Sequence, residues 1–448
     1  MAARDCPLYV FAHLQGQWAP CGLLTLTEER ERLLASRFAY GTRYLERGNA
    51  LEVDPVALAL GERASLRGES LLPPAALTFF GGIRDAAPDA WGRRVIEAKL
   101  GVPANSLPES DYLLHAGSDR VGALDVRDSL EAHPAGGAAP VHSLEYLMQA
   151  AERIEQGLPV PARLEAIFDG GTALGGARPK ASVRDADGVL WLAKFASHTD
   201  RMDLPTIEAA TLRLAGKAGL DAPPVRVEAF AERRVMLVRR FDRYWARPEH
   251  GLAVNERPVD THPGEGRIEH RLGFVSGLTM LARDELASST SSYRELADAV
   301  RRYCHPDVIR ANNAELFRRM VFNIFVTNDD DHLRNHGFVF DPRLRGWCLS
   351  PLYDVTPQPR VSTERLLHLG VGPRGRQATL DNALAGCARF TLSAPDAAGI
   401  VSEVWRVVRQ WRTWFDEFAV PPEQQDRVAG AFRHVDDISS PETRRLLH

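Results

Sequence analysis

The sequence predicts an α+β protein with a sheet-rich first half and a helix-rich second half. Two observations carry this. Short apolar segments of strand period, separated by Gly, Pro and Asp turns, fill the first 245 residues or so, whereas helical stripes dominate beyond about residue 290. The composition fits a packed core: 448 residues, 44% hydrophobic and 25% charged, with a net charge of -4. That excludes wholesale disorder and disfavours a strongly basic nucleic-acid binder. No apolar run approaches the ~18 residues of a membrane-spanning helix, and the start of the chain lacks the apolar centre of a secretory signal. Five scattered cysteines without a CxxC pair argue against a disulfide framework or a thiolate zinc site. A soluble cytoplasmic protein without a membrane partner is expected.

Leu8 to Leu14 alternates into Gly16 and reads as an opening strand. Ala86 to Leu100 reads as a helix stopping before Gly101, with Pro88 in its first turn. HPAGGAAP, within residues 126–142, reads as a flexible connector, followed by a helix from Ser143, its expected cap, to Glu155. A glycine-rich stretch, GGTALGGARPK at 170–180, then leads through a turn at Asp185–Gly188 into a strand Val189–Phe195, where Leu190, Leu192 and Lys194 share a face. Thr206 to Gly216 reads as an amphipathic helix and Arg234 to Phe241 as a second apolar strand. Residues 245–270 read as a mobile excursion. Glu315–Val326 and Ala397–Phe418 show helical apolar stripes, the second ended by Pro421-Pro422. Core packing explains those stripes. The expected domains are 1–125, a small N-terminal subdomain; 126–168, a connector with one helix; 169–244, a sheet-rich core; and 245–448, a helical lobe.

The chemistry is concentrated in NDDDHLRNHGF, residues 328–338. Three adjacent carboxylates repel one another, so a cation or cationic partner is expected nearby. A solvated, helix-capping acidic loop is the competing structural explanation; the density of polar groups between two apolar elements favours function. Asp330 and Asn335 are five apart, the separation of base and metal-binding Asn in a protein-kinase catalytic loop. Asp354, in SPLYDV at 350–355, follows at the place of a second metal ligand. Upstream, Gly175 and Gly176 allow backbone amides to approach phosphate, and Lys180 adds charge, although no Walker A motif is present. Lys194 suits an α/β-phosphate contact and Glu208 the carboxylate that would pair with it; an edge lysine that snorkels is the plainer alternative. Each part alone is weak or moderate. Their shared order points to Mg-ATP-dependent phosphoryl transfer. A metal-dependent phosphohydrolase would not require the glycine loop or Lys194, and neither H-E-x-x-H nor G-x-S-x-G is present.

With these residues in place, the chain resembles the HipA toxin kinases of bacterial toxin–antitoxin pairs. The matching segments are TALGGARPKA (172–181), LAKF (192–195), VRRFDR (238–243), FNIFVTNDDDHLRNHGF (322–338) and SPLYDVTP (350–357), together with FFGGIRDAAPDAWGRR (79–94) and DYLLHAGSDRVGAL (111–124). The resemblance implies a two-lobed, protein-kinase-like fold with a sheet-rich N-terminal lobe, an extra small N-terminal subdomain and a mostly helical C-terminal lobe. It implies a serine/threonine protein kinase using ATP and Mg²⁺. Asp330 falls on the catalytic base, Asn335 and Asp354 on the Mg²⁺ ligands, and Lys194 on the ATP-phosphate lysine. Gly175, Gly176, Ala177, Arg178, Pro179 and Lys180 fall on the phosphate loop, and Val238, Arg239 and Arg240 on the adenine hinge. His332 falls beside the phosphates and Tyr353 beside the nucleotide. The implied target is an aminoacyl-tRNA synthetase, glutamyl-tRNA synthetase first, whose phosphorylation arrests growth and favours persistence. The implied partner is a HipB-like helix-turn-helix antitoxin that carries most of the operator DNA binding. The family commonly has an autophosphorylated serine two residues before the glycine pair, and its phosphorylation silences the kinase; here the position is Ala173. Either the switch is absent, Thr172 replaces it, or the chain is an engineered variant. A loop without that switch implies a more persistently active kinase. A small-molecule kinase of the same broad fold and a catalytically silent corepressor are the alternatives. The long N-terminal region counts against the first, and the complete set of Lys194, Asp330, Asn335 and Asp354 counts against the second.

Overall fold

The computed structural model describes every residue except Met1, Ala76, residues 171–175, Glu232, residues 249–250, residues 254–255 and His448. The chain divides into two compact units. One comprises Met1–Thr199, Glu228–Val275 and Val339–Arg345; the other comprises Asp200–Val227, Ser276–Phe338 and Gly346–His448.

The first unit begins with a meander, β1 (Arg4–Leu14), β2 (Gln17–Glu29) and β3 (Arg32–Tyr40). With β4 (Leu124–Arg127) it forms an antiparallel sheet of order β3-β2-β1-β4. Gln15 and Gly16 turn the first hairpin with φ of 46° and 85°, as a two-residue hairpin turn of this hand requires. Alternate residues Leu8, Val10, Ala12 and Leu14 are buried against Leu24, Leu26, Phe38, Phe80 and Ile83. The FFGG segment belongs to this packing. A Cβ on Gly82 would come 2.4 Å from the Val53 carbonyl oxygen. The buried Asp54 carboxylate accepts from the amides of Ala57 (2.6 Å), Val56 (3.0 Å) and Gly82 (3.2 Å).

The helix expected from Ala86 starts instead at Ala90. Gly81–Asp85 forms a separate turn of helix that ends at Ala86, and Pro88 precedes Asp89, the cap of α1 (Ala90–Leu100). Gly101, at φ 65°, ends α1 as expected. The connector is pinned at both ends, by β4 and by β5 (Ala139–Pro140), which pairs in parallel with β6 (Lys180–Arg184). In α2 (Leu144–Glu155) Ser143 precedes the helix without capping it; its hydroxyl donates to the Pro140 carbonyl at 2.7 Å. β7 (Leu190–Phe195) and β8 (Arg233–Arg239) continue the order β5-β6-β7-β8. Trp91 and Val95 of α1 and Leu147 and Ala151 of α2 share a core with Val183, Ala193 and Leu237 of these strands. The expected excursion at 245–270 begins and ends in paired strands, β9 (Arg243–Ala246) and β10 (Ile268–Arg271). Backbone pairing anchors its two ends.

The second unit is mainly helical: α3 (Leu204–Lys217), α4 (Tyr293–Tyr303), α5 (Ile309–Val326), α6 (Ala394–Val408) and α7 (Trp411–Glu417) are its longer helices. α3 is capped by Asp203, which accepts from the Thr206 amide at 3.3 Å. Every residue from Pro205 to Leu212 is buried, so the solvent face of the expected amphipathic helix is confined to its end, at Arg213, Gly216 and Lys217. The single helix expected at 397–418 is broken at Arg409–Gln410, and Trp411 stacks on Phe432 with ring centroids 4.0 Å apart. Pro422 starts a further short helix, Pro422–Val428, since a first-turn proline lacks only an amide the helix does not use. The five cysteines are unpaired. Among the described residues no helix is long and apolar enough to cross a membrane.

Candidate functional site

The acidic loop hangs from the end of α5. Thr327 adopts a left-handed φ of 51° there, which stops the helix and turns the chain outward. The three aspartates then diverge into three environments, and this divergence relieves their mutual repulsion. Asp329 pairs with Arg360 at 2.6 Å. Asp330 stays in solvent, its side chain 71% exposed. Asp331 is buried, accepting from the Tyr293 hydroxyl at 2.6 Å and the His368 amide at 2.7 Å. Tyr293 in turn accepts from Asn323 at 2.9 Å, and Asn323 accepts from Asn328 at 3.2 Å, so the base of the loop is a closed polar network.

Asn335 points back under Asp330. Its Nδ2 donates to the Asp330 carbonyl at 2.9 Å. That contact fixes the peptide that carries the exposed carboxylate, and it leaves the carboxamide oxygen as the atom suited to a hard cation. The Tyr353 hydroxyl donates to the Arg334 carbonyl at 2.5 Å, tying the residue before Asp354 to the residue before Asn335. Asp354 has a φ of 59°, a left-handed conformation rarely adopted outside Gly, Asn and Asp. Arg319 of α5 supports the same segment by donating to the Ser350 carbonyl at 2.6 Å and to Glu315 at 2.9 Å. A carboxamide and a carboxylate oxygen are donors of the kind a hard cation takes rather than a soft metal; among the described residues no group of three or more His, Cys, Asp or Glu is placed to hold a metal ion. His332 lies 3.9 Å from the Asp330 carboxylate, with its ring edge-on to that of His368. Glu208 is buried within α3 of this unit.

In the first unit, Lys180 opens β6 and lies opposite Lys194 of β7, which lies opposite Met236 of β8. Leu192 faces Val238 in the same ladder. The Lys180 ammonium is folded over Gly176, where a Cβ would come 2.3 Å from Nζ, and Gly176 has a φ of 87°. Arg239 donates to the Thr261 carbonyl and lies 3.1 Å from His262. Arg240 donates to Asp242 at 2.7 Å and to the Arg120 carbonyl at 3.0 Å. Both guanidinium groups are thus held in the protein's own framework, and any contact of this segment with a nucleotide falls to its backbone. Ala177 and Arg178 are exposed and Pro179 is buried. Thr172, Ala173 and Gly175 lie outside the described residues.

Sequence reasoning missed Asp331, Tyr293 and His368. The triple Asp was the only signal, and it could not say which carboxylate turns inward. Burial pushes the Asp331 carboxyl up to about 7, with the Tyr293 hydroxyl and the His368 amide pulling it back. Burial, with Arg319 nearby, pushes His336 down to about 3, so that ring is neutral beside the Asp331 carbonyl. Because the folded carboxyl keeps its proton to higher pH than the unfolded one, stability falls as pH rises from about 4 to about 7. The wild type is therefore expected to lose melting temperature relative to Asp331→Asn across that window. Melting curves from pH about 4 to about 8 check this, and a difference that does not vary with pH would count against it.

Comparison with known proteins places these residues in a family. The model of the HipA-like C-terminal domain matches residues 172–411. A Sinorhizobium fredii protein named "Putative kinase Y4mE" is 28% identical over 351 residues, 74% of this chain and 75% of its own length. A Haemophilus influenzae protein named "Putative kinase" is 28% identical over 170 residues, 36% of this chain and 44% of its own. Among solved structures, HipA of Shewanella oneidensis, in complex with HipB and operator DNA, matches with a TM-score of 0.63 and 17% identity. The match covers 98% of this chain and 96% of the other. That likeness is one of fold, and the α+β, kinase-like class expected from the sequence holds.

Proposed function

The chain belongs to the HipA-like C-terminal domain family, and on that premise we propose that it is an Mg-ATP-dependent serine/threonine protein kinase, the toxin of a HipBA-like toxin–antitoxin pair. The observation that carries this reading is the loop in which Asp330 is exposed while Asn335 holds its peptide from beneath at 2.9 Å. An exposed, backbone-anchored carboxylate five residues before a carboxamide is what phosphoryl transfer to a hydroxyl needs. Asp330 accepts the proton of the substrate hydroxyl as that oxygen attacks the γ-phosphorus, and the bond to the β,γ-bridging oxygen breaks to release ADP. Asn335 and Asp354 are the residues that would hold Mg²⁺, which when bound neutralises charge on the phosphate oxygens. Lys194, Lys180 and the amides from Gly176 onward supply positive charge to the phosphates, with the Val238–Arg240 backbone for the adenine. His332 takes the place beside the phosphates, and Glu208 that of the carboxylate partner of Lys194.

The substrate of this reading is a protein, an aminoacyl-tRNA synthetase and first glutamyl-tRNA synthetase, whose phosphorylation inhibits translation in the cytoplasm. The partner is a HipB-like helix-turn-helix antitoxin, through which operator DNA is contacted. Incubation with γ-labelled ATP, Mg²⁺ and a bacterial lysate tests it: label on one or a few proteins is expected. Label on small metabolites alone would replace it with a small-molecule kinase. No transfer, together with no Mg-ATP shift in melting temperature, would leave a non-catalytic corepressor.

A further inference from the structure

The PDAWGRR segment has no part in the chemistry above, yet its first residues grip the phosphate loop. Asp89 caps α1 with one carboxylate oxygen, accepting from the Ala90 amide at 2.7 Å. Its other oxygen accepts from the Gly176 amide, also at 2.7 Å and 87 residues further along the chain. Two residues on, the Trp91 amide donates to the Gly176 carbonyl at 3.0 Å. The Trp91 indole nitrogen donates to the Lys180 carbonyl at 2.8 Å. Both backbone groups of Gly176 are therefore fixed by the start of α1, and Asp89 and Trp91, in its first turn, hold the segment 176–180 at its two ends. Trp91 is fully buried and Val95 lies in the same core as Val183 and Ala193, so the grip is mounted on a rigid element.

An N-cap aspartate ordinarily uses its carboxylate on amides of its own helix. Here half of it is committed to a distant glycine at φ 87°. A carboxylate beside a phosphate-binding loop is unfavourable for an anion by charge alone, so its contribution is one of geometry: it selects the loop conformation over which the Lys180 ammonium folds. We propose that Asp89, with Trp91, is a positioning residue for nucleotide, through which the N-terminal part of the chain sets the shape of the phosphate loop. This rests on the kinase reading and extends it to a segment that makes no contact with the reacting atoms in that reading.

The test compares wild type, Asp89→Ala and Asp89→Asn. In nucleotide-free protein, hydrogen exchange at the Gly176 amide is expected to accelerate about tenfold or more in Asp89→Ala, from the loss of one charge-assisted hydrogen bond, with the amides of Val183 and Ala193 unchanged. In steady-state kinetics KM for ATP is expected to rise about tenfold with kcat much less affected, and Asp89→Asn, which keeps one acceptor oxygen, is expected to recover part of it. Equal Gly176 exchange in wild type and Asp89→Ala overturns the proposal, as does a loss of kcat with KM for ATP unchanged. A general fall in stability, with faster exchange at Val183 and Ala193 as well, also overturns it, since it would make Asp89 a helix cap only. A wild type that binds no Mg-ATP instead overturns the kinase reading; the exchange comparison, which uses no nucleotide, tells that failure from this one.

Discussion

Asp330→Asn is expected to lower phosphate transfer about a thousandfold, the scale of losing a positioned general base, while the rise in melting temperature on adding Mg-ATP persists. The structure separates this residue's chemistry from its architecture. What Asn335 holds is the Asp330 carbonyl oxygen, not its carboxylate, so the substitution leaves that hydrogen bond in place. The side chain is 71% exposed, so the substitution takes place mostly in solvent and creates no cavity in the core. The neighbouring aspartates differ. Asp329 would release Arg360, and Asp331 would release Tyr293 and the His368 amide from the buried network. Loss of rate with retained stability and retained nucleotide binding is therefore specific to Asp330. Measured turnover within tenfold of wild type would remove it from the role, and a collapse in melting temperature would mean that the loop depends on its charge.

The contrast among the three aspartates shows what the sequence can carry. The five-residue step from Asp330 to Asn335 and the later Asp354 are local facts, set by the order of residues, and they were legible at once. The inward turn of Asp331 was not, because it depends on Tyr293 and His368, 38 and 37 residues away along the chain. Secondary structure follows the same division. The opening strand and the glycine stop of α1 were legible because hydrophobic period and a left-handed glycine act locally. The start of α1 was misplaced because Asp89 competes with the earlier helix formers, and it is held partly by Gly176. In α3 the polar Thr206 and Glu208 are buried along with the apolar face, which hydrophobic period alone does not show. The strand pairing at the ends of the connector and of the 245–270 segment leaves no compositional trace.

The same limit hid the purpose of VRRFDR and SDRVGAL. Each looked like a family signature, and together they form one buried charged joint in the first unit. Asp242, 1% exposed, accepts from Arg240 and Arg243 and from the Gly122 amide, each at 2.7 Å. Arg240 and Arg243 also donate to the Arg120 carbonyl, at 3.0 and 2.8 Å. Burial alone would raise the Asp242 carboxyl; the two guanidinium groups outweigh it and hold the group far below the usual carboxylate range. Its contribution is therefore fully present above pH about 4 and is lost as pH falls through the folded pKa. Removing one partner of a buried pair costs more than the pair itself contributes, because the remaining charge stays out of water. Asp242→Ala takes the nearest counter-charge from two buried cations and the acceptor from one buried amide, leaving Glu269 at 3.8 Å from Arg243, and burial with Arg271 nearby already pushes Arg243 down to about 9. The expected loss is about 3–5 kcal/mol, read by denaturant melting at pH about 7. Adding Arg243→Met to Asp242→Ala is expected to return part of that loss by taking one stranded charge away. An Asp242→Ala protein as stable as wild type, or a double variant weaker than the single one by the full cost of a second lost pair, would show that the joint is held by packing rather than by its charges.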